Sequence, residues 1–217
     1  MAEQLELLNP RGKPALPGSG RKPVTIDIVR RETIFERGRF GLPYLSRILV
    51  RRGAREKVLT LFEKHYPSAG KGFALANMKA YLVLKGLGMN VPTTYRFVEL
   101  ADGGASILQT DLTFGRKNMV TPTNDPNLRV IRKIKNWDEV VQRMKEDLEK
   151  AAEHGIIFNF DEWMISVDRK TGMASVHLTD FDRTVTHGKS DLASDLAELD
   201  KWRAKMDRVR KLPFTPH

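Results

Sequence analysis

The residue types able to do chemistry are few, and their spacing excludes more reactions than it suggests. The 217-residue chain has no cysteine. That removes disulfides, thiolate zinc sites, iron–sulfur clusters and a cysteine nucleophile, and it is compatible with a reducing compartment. Its histidines (His65, His154, His177, His187 and His217) never stand as HxxxH or HExxH, so no helix offers a zinc-binding pair. His177 falls within a strand-like run and reads as structural. No GxSxG, Walker A lysine motif or GxGxxG occurs, which leaves hydrolase, P-loop and Rossmann readings without support. What remains is carboxylate chemistry late in the chain. Asp161 stands beside Glu162, and Asp180 and Asp182 flank Phe181. Each has a plain alternative. Asp161 suits an exposed loop, Asp180 can cap a turn at a strand end, and Asp182 can pair with Arg183.

The charge is the second signal. The net charge is +10, and all of it lies in residues 1–100, with 18 Lys/Arg against 8 Asp/Glu; residues 101–217 hold 19 of each. Such asymmetry points the N-terminal half toward something anionic: nucleic acid, nucleotide or an acidic partner. The arginines of ILVRRGAREK (48–57) could clamp phosphates, or form a solvated hairpin tip. At 41% apolar and 29% charged, the chain can build a real core. No apolar run approaches the roughly 20 residues of a membrane span, and MAEQLELLNPRGKP lacks the pattern of a secretory signal. The expectation is a protein that contacts no membrane and is cytoplasmic or delivered into a host cell.

These side chains must be positioned by recognisable elements. Residues 1–24, with four prolines and three glycines, read as an extended or mobile arm. VTIDIV, TIFERGRF, YLSRILV and KVLTLF read as strands, and YPSAGKG (66–72) as a loop. FALANMKAYLVLKGLG reads as a helix with Phe73, Ala76, Ala80, Leu84 and Met78, Leu82 on adjoining faces, closed by Gly86 or Gly88. VPTTYRFVEL and ASILQTDL read as a hairpin around ADGG, and 113–128 as a loop. Asn136 with Glu139 forms a capping-box pattern at the head of the strongest helix, whose stripe is Trp137, Val140, Met144, Leu148 and Ala151. GIIFNF, WMISVD and SVHLTDF read as short strands, the last two joined by RKTG. A final helix runs from Ser190 through Leu192, Leu196, Leu199, Trp202 and Met206 to Pro213. The order predicts an α+β, two-lobed arrangement with a hinge near 111–117.

Taken in order, the elements resemble a minimal protein-kinase-like fold, similar to small bacterial effector kinases. GRFG (38–41) followed by Tyr44 resembles the second half of a kinase glycine-rich loop, with Glu36 at the first glycine position. NMKAYLVLKGLGMNVPTTYRFVEL (77–100) is similar to the third helix of such phosphotransferases running into the next strand. GIIFNFDEWMISVDRKTGMASVHLTDFD (155–182) resembles the catalytic hairpin and the metal-binding strand, with DFD in place of DFG. SDLASDLAELDKW (190–202) is similar to the aspartate-led helix that supports the larger lobe. The departures are equally specific. Thr60 stands where a strand lysine belongs, with Lys57 and Lys64 as nearby alternatives. Asn77 stands at the partner glutamate, and Asn159 and Met164 at the catalytic-loop aspartate and asparagine.

The resemblance implies a small N-lobe at 25–112, an antiparallel sheet with one helix. It implies a mainly helical C-lobe at 113–217 with a short catalytic-type hairpin, and ATP bound between the lobes. It makes Gly38, Phe40, Gly41 and Lys64 nucleotide contacts, Asp180 a Mg²⁺ ligand that Asp182 could share, and Asp161 the residue that receives or orients an acceptor hydroxyl on a protein or small molecule. The missing lysine, glutamate and asparagine support an alternative, a pseudokinase that keeps the fold as a binding module. A third reading is a basic structural or nucleic-acid-associated protein.

Overall fold

The computed structural model describes residues 4–5, 24–33, 42–52, 54–93, 95–110, 119–120, 128–168, 170–181, 184, 186, 188 and 191–211. The glycine-rich GRFG segment, the expected hinge at 111–117 and most of the expected arm at 1–24 lie outside these residues. The chain divides into two compact units, Met1–Tyr81 with Pro92–Asp111, and Leu82–Val91 with Leu112–His217.

The first unit is one antiparallel sheet with a helix on one face. Its elements are β1 (Gln4–Leu5), β2 (Val24–Thr33), β3 (Leu42–Arg52), β4 (Arg55–Tyr66), α1 (Lys71–Gly86), β5 (Tyr95–Glu99) and β6 (Ala105–Thr110). The strands pair in the order β1-β2-β3-β4-β6-β5. The expected strands VTIDIV, YLSRILV and KVLTLF and those of the 92–110 hairpin therefore form one sheet, TIFERGRF lying outside the described residues beyond Thr33; the helix starts earlier than its sequence pattern suggests, at Lys71, after a short 3₁₀ turn at Ser68–Gly70. Gly88 follows it with φ +71°, the left-handed conformation that ends a helix cheaply only at glycine.

Residues directly opposed across an antiparallel pair share a face. Tyr44 opposes Glu63, and Glu63 opposes Leu108. That face carries a core of Ile26, Ile48, Val98, Leu100 and Leu108. The other face meets α1. Asn77 donates through Nδ2 to the Tyr66 hydroxyl at 3.1 Å, and the Tyr95 hydroxyl donates to Asn77 Oδ1 at 3.2 Å. Tyr81 stacks on Tyr95 at 4.3 Å between ring centroids. The inner stripe of α1 is thus Ala74, Asn77, Ala80 and Tyr81, all buried. Phe73, Ala76 and Leu82, on the adjoining apolar faces read from the sequence, are exposed. The helix is apolar on two sides, so periodicity alone could not choose between them; the amide of Asn77, satisfied by two tyrosines, marks the inner one.

The second unit contains β7 (Met119–Val120), α2 (Leu128–Ile131), α3 (Trp137–Glu153), β8 (Trp163–Val167), β9 (Ala174–Leu178) and α4 (Leu192–Lys211). Trp137, Val140, Met144, Leu148 and Ala151 are all buried, as their spacing requires. They face β9 and α4, where Trp137 meets Trp202 at 5.3 Å and donates to Asp207 at 2.7 Å. The capping box does not form: Asn136 makes no side-chain cap. Its amide instead clasps the outer edge of β9, donating to the Ala174 carbonyl at 3.0 Å and accepting from the Ala174 amide at 2.8 Å. Asn90 binds the same edge, donating through its side chain to the Val176 carbonyl and accepting the Leu178 amide at 2.9 Å on its backbone. The RKTG turn joins β8 to β9 as expected, with Gly172 at φ +76°. GIIFNF is not a continuous strand; after the turn at Gly155 it has a single bridge residue, Ile157, and leads into a 3₁₀ turn at Phe160–Glu162.

Candidate functional site

Aromatic packing shapes the turn at Phe160–Glu162. Trp163, wholly buried, meets the rings of Phe158 and Phe160 edge-on, at 5.1 and 5.0 Å between centroids. With 158, 160 and 163 turned inward, Asn159 and Asp161 are left exposed. Thr179, the first residue after β9, donates its amide to the Glu162 carbonyl at 2.9 Å. That bond seats the turn against the strand end that carries Asp180. Asp161 and Asp180, both exposed, therefore lie at the same end of the β8–β9 hairpin. Asp182, the companion proposed from sequence, lies outside the described residues.

Glu162 turns the other way and is the residue that sequence reasoning missed. It is 2% exposed. Its carboxyl accepts from Thr184 Oγ1 at 2.6 Å and from Asn159 Nδ2 at 3.4 Å. Burial pushes this carboxyl up to about 8; the neighbouring Asp180 charge adds to the rise, while Thr184 and Asn159 oppose it. The site thus joins a buried acid, largely protonated at neutral pH, to two exposed aspartates at the same end of the hairpin, an arrangement in which burial and like charge separate the roles of neighbouring acids. The one hint in the sequence was the position of Glu162 between two aromatic residues that must be buried. Among the described residues, no three His, Asp or Glu side chains come together as a metal cage.

The remaining sequence candidates lie in the first unit. Lys64 is on the α1 face of β4, opposed to Pro43 and Ile107, with Nζ 5.8 Å from the centre of the Tyr66 ring. Gly38, Phe40 and Gly41 lie outside the described residues. Thr60 and Lys57 are exposed. Asn77 is buried in its tyrosine network rather than offered to a cation. The adjacent Glu63 is the buried carboxylate of this unit. It accepts a fork from Arg31, at 3.0 Å from Nε and 2.8 Å from Nη2, and further bonds from Ser46 at 2.5 Å and Ser106 at 2.6 Å. Although burial alone would raise its pKa, these donors hold the carboxyl below its usual range. Of the hairpin arginines, Arg51 is engaged by Asp27 and by Glu56, the latter at 2.8 Å.

No protein-family model and no curated protein matches the sequence. Among solved structures, the chain is similar to the kinase domain of Mycobacterium tuberculosis PknI, with a TM-score of 0.45 and 12% sequence identity, covering 83% of this chain and 74% of that one.

Proposed function

We propose that this is a kinase-like protein that binds ATP with a divalent cation at the acidic end of the β8–β9 hairpin. The observation that carries the reading is the bond from the Thr179 amide to the Glu162 carbonyl, which sets Asp161 and Asp180 at one end of the same hairpin. The donors there are oxygens, which suits Mg²⁺: this ion takes one or two carboxylates and completes its shell with phosphate oxygens and water. Asp180 would hold the cation. Asp161, exposed and beside it, would orient an acceptor hydroxyl and take its proton. Glu162, protonated near neutrality, cannot share that work; it fixes the turn through Thr184 and Asn159. The nucleotide would supply the phosphoryl group, a transfer that depends on positioning and charge neutralisation more than on covalent help from the protein.

A second reading, nucleotide binding without transfer, is favoured by one specific observation. The helix position that resembles a kinase glutamate is Asn77, and both of its polar atoms are committed to tyrosines.

A thermal-shift series with ATP, with and without Mg²⁺ or Mn²⁺, tests binding, because a ligand of the native state raises the melting temperature by mass action. Radiolabelled phosphate incorporation tests transfer. Asp180→Asn should abolish the metal-dependent shift, and Asp161→Asn should keep it while losing transfer. A metal-dependent shift without incorporation selects the second reading. No shift under any condition, or an identical shift in Asp180→Asn, would refute the site.

A further inference from the structure

Strand alternation sorts the charges of β2, β3 and β4 between the two faces of the sheet. At the hairpin end Arg52 is directly opposed to Arg55, and Val50 to Lys57. These residues share a face with Ile26 and Ile48 of the core, so one face runs from an apolar centre to a cationic corner. Apart from the buried Glu63, the acids of these strands are all on the other face: Asp27 opposite Leu49, Glu32 opposite Leu45 and Glu56 opposite Arg51. There Arg51 is paired with Asp27 and Glu56, and the opposed arginines Arg30 and Arg47 share the face with Glu32. On the core's face Arg52, Arg55 and Lys57 are exposed, and none has an ion-pair partner among the described residues. Like charges directly opposed across strands destabilise the pairing. This corner lacks the counter-charge that the other face has.

The open side of β4 is the second observation. β6 pairs with β4 only over Leu61–Tyr66. From Arg55 to Thr60 the outer side of β4 therefore carries no strand among the described residues. Successive residues of a strand turn their N–H and C=O groups to alternate sides, so every second residue there offers a donor and an acceptor outward. Arg55–Val58 and Thr60 are all exposed, Val58 by 52%. An open edge of this kind takes an added strand, with main-chain bonds supplying affinity and alternate side chains supplying specificity. Opposed residues share a face. An added strand would thus set every second side chain beside Arg55 and Lys57, and those between beside Glu56, Val58 and Thr60. Carboxylates suit the first row; valine or threonine suits the second. A second copy of this edge does not fit, because antiparallel pairing would bring Arg55 and Lys57 against the same residues of its partner. Single-stranded nucleic acid fits less well, since Arg55–Val58 and Thr60 include no aromatic ring on which a base could stack.

We infer that the outer half of β4, Arg55–Thr60, takes an added strand from a partner protein, an extended segment in which acidic residues alternate with β-branched ones, with its backbone on the β4 edge and its carboxylates on Arg55 and Lys57. The contact is independent of the nucleotide site proposed above.

The test is fluorescence anisotropy of the full chain with a labelled, end-capped peptide of about eight residues in which Glu alternates with Val and Thr, titrated to about 1 mM. The comparison ligands are a peptide of the same composition with its Glu residues contiguous, two forms of the alternating peptide N-methylated on one or the other alternate set of amides, and a labelled 20-base-pair duplex. The alternating peptide should bind about tenfold or more tightly than the contiguous one, and at least one N-methylated form should lose about tenfold, because every second amide of an added strand faces β4. Arg55→Ala with Lys57→Ala should weaken binding about fivefold or more. Far-UV circular dichroism should show this variant folded, since it relieves the repulsion on Arg52, and the N-methylated peptides probe the same contact on the unmodified chain. Absence of binding by the alternating peptide overturns the proposal. So does equal binding of the contiguous peptide, full binding of both N-methylated forms, unchanged binding by the double variant, or tighter binding of the duplex.

Discussion

Replacing Glu63 with alanine should be the most damaging single change in the first unit. The carboxylate is wholly buried and accepts hydrogen bonds from Arg31 twice, from Ser46 and from Ser106. Alanine removes every acceptor at once. It takes from the hydroxyls of Ser46 and Ser106, on residues with no exposure, their carboxylate acceptor, and from the Arg31 guanidinium, whose side chain is only 27% exposed, its counter-charge. Breaking a buried pair from one side costs about 3–5 kcal/mol, most of it the penalty of the charge left behind. We expect about 4 kcal/mol for Glu63→Ala. Glu63→Gln keeps the volume and one acceptor but sets an NH₂ group against the guanidinium fork, and should cost about 2–3 kcal/mol. The joint replacement Arg31→Met with Glu63→Leu should recover much of the loss. Urea unfolding followed by far-UV circular dichroism is the appropriate assay, because all three tryptophans (Trp137, Trp163 and Trp202) belong to the second unit. The pH dependence has a definite sign. A carboxyl held below its unfolded value of 4.5 stabilises the fold above that pH, and the contribution is lost as pH falls through the lower folded value. The parent should therefore lose stability on acidification below about 4.5 more steeply than Glu63→Gln. A cost under about 1 kcal/mol for Glu63→Ala would refute the account, as would parallel pH curves.

Three further outcomes are expected. Glu162, at about 8 against 4.5 when free, stabilises the fold fully below pH 4.5 and progressively less as pH rises toward 8. Denaturation of the parent at pH 5.5 and 8.5 should differ by a few kcal/mol more than in Glu162→Gln; equal differences would contradict the burial argument. Gly172→Ala places a Cβ 2.9 Å from the Lys133 carbonyl oxygen on a backbone at φ +76°, so it should lower stability by about 2 kcal/mol in thermal melts, and a neutral result would count against that turn geometry. Asn136→Asp separates capping from clasping. Aspartate is as good an N-cap as asparagine, but it cannot donate to the Ala174 carbonyl. A loss of about 1–2 kcal/mol, close to that of Asn136→Ala, is expected, and an unchanged melting temperature for the aspartate variant would show that the clasp is energetically idle.

Much of the architecture was legible wherever one physical rule dominated. The stripe of α3 needed only a period, because its opposite face is charged. The hairpin from Tyr95 to Thr110 needed only alternating apolar residues and a glycine turn. Legibility ended where two partners compete for a residue. Asn136 carries a capping pattern, but its amide is taken by a strand edge that lies 38 residues away in the chain. Phe158 and Phe160 look like strand residues, but both pack against Trp163 and force a turn. Glu162 was set aside as the neighbour of Asp161, because nothing local reveals that Thr184 and Thr179 close over it. The opposed arginines could not be read at all, since pairing Arg30 with Arg47 depends on a register shift between Ile28 and Arg30.

The two asparagine clasps on β9 have a consequence for the protein's behaviour in concentrated solution. An outer strand with free amides and carbonyls is a template on which another chain can add a strand, and so a starting point for aggregation. Here Asn136 and Asn90 already occupy the backbone groups of Ala174, Val176 and Leu178 that such a chain would use. Among the described residues, that edge is held by two asparagines, through both side-chain amides and one backbone carbonyl, rather than by another strand. Hydrolysis of either side-chain amide to a carboxylate, the ordinary ageing reaction of asparagine, would turn a donor into an acceptor facing a carbonyl and open that edge. Slow chemical ageing would then reach the protein as self-association before it reached it as unfolding.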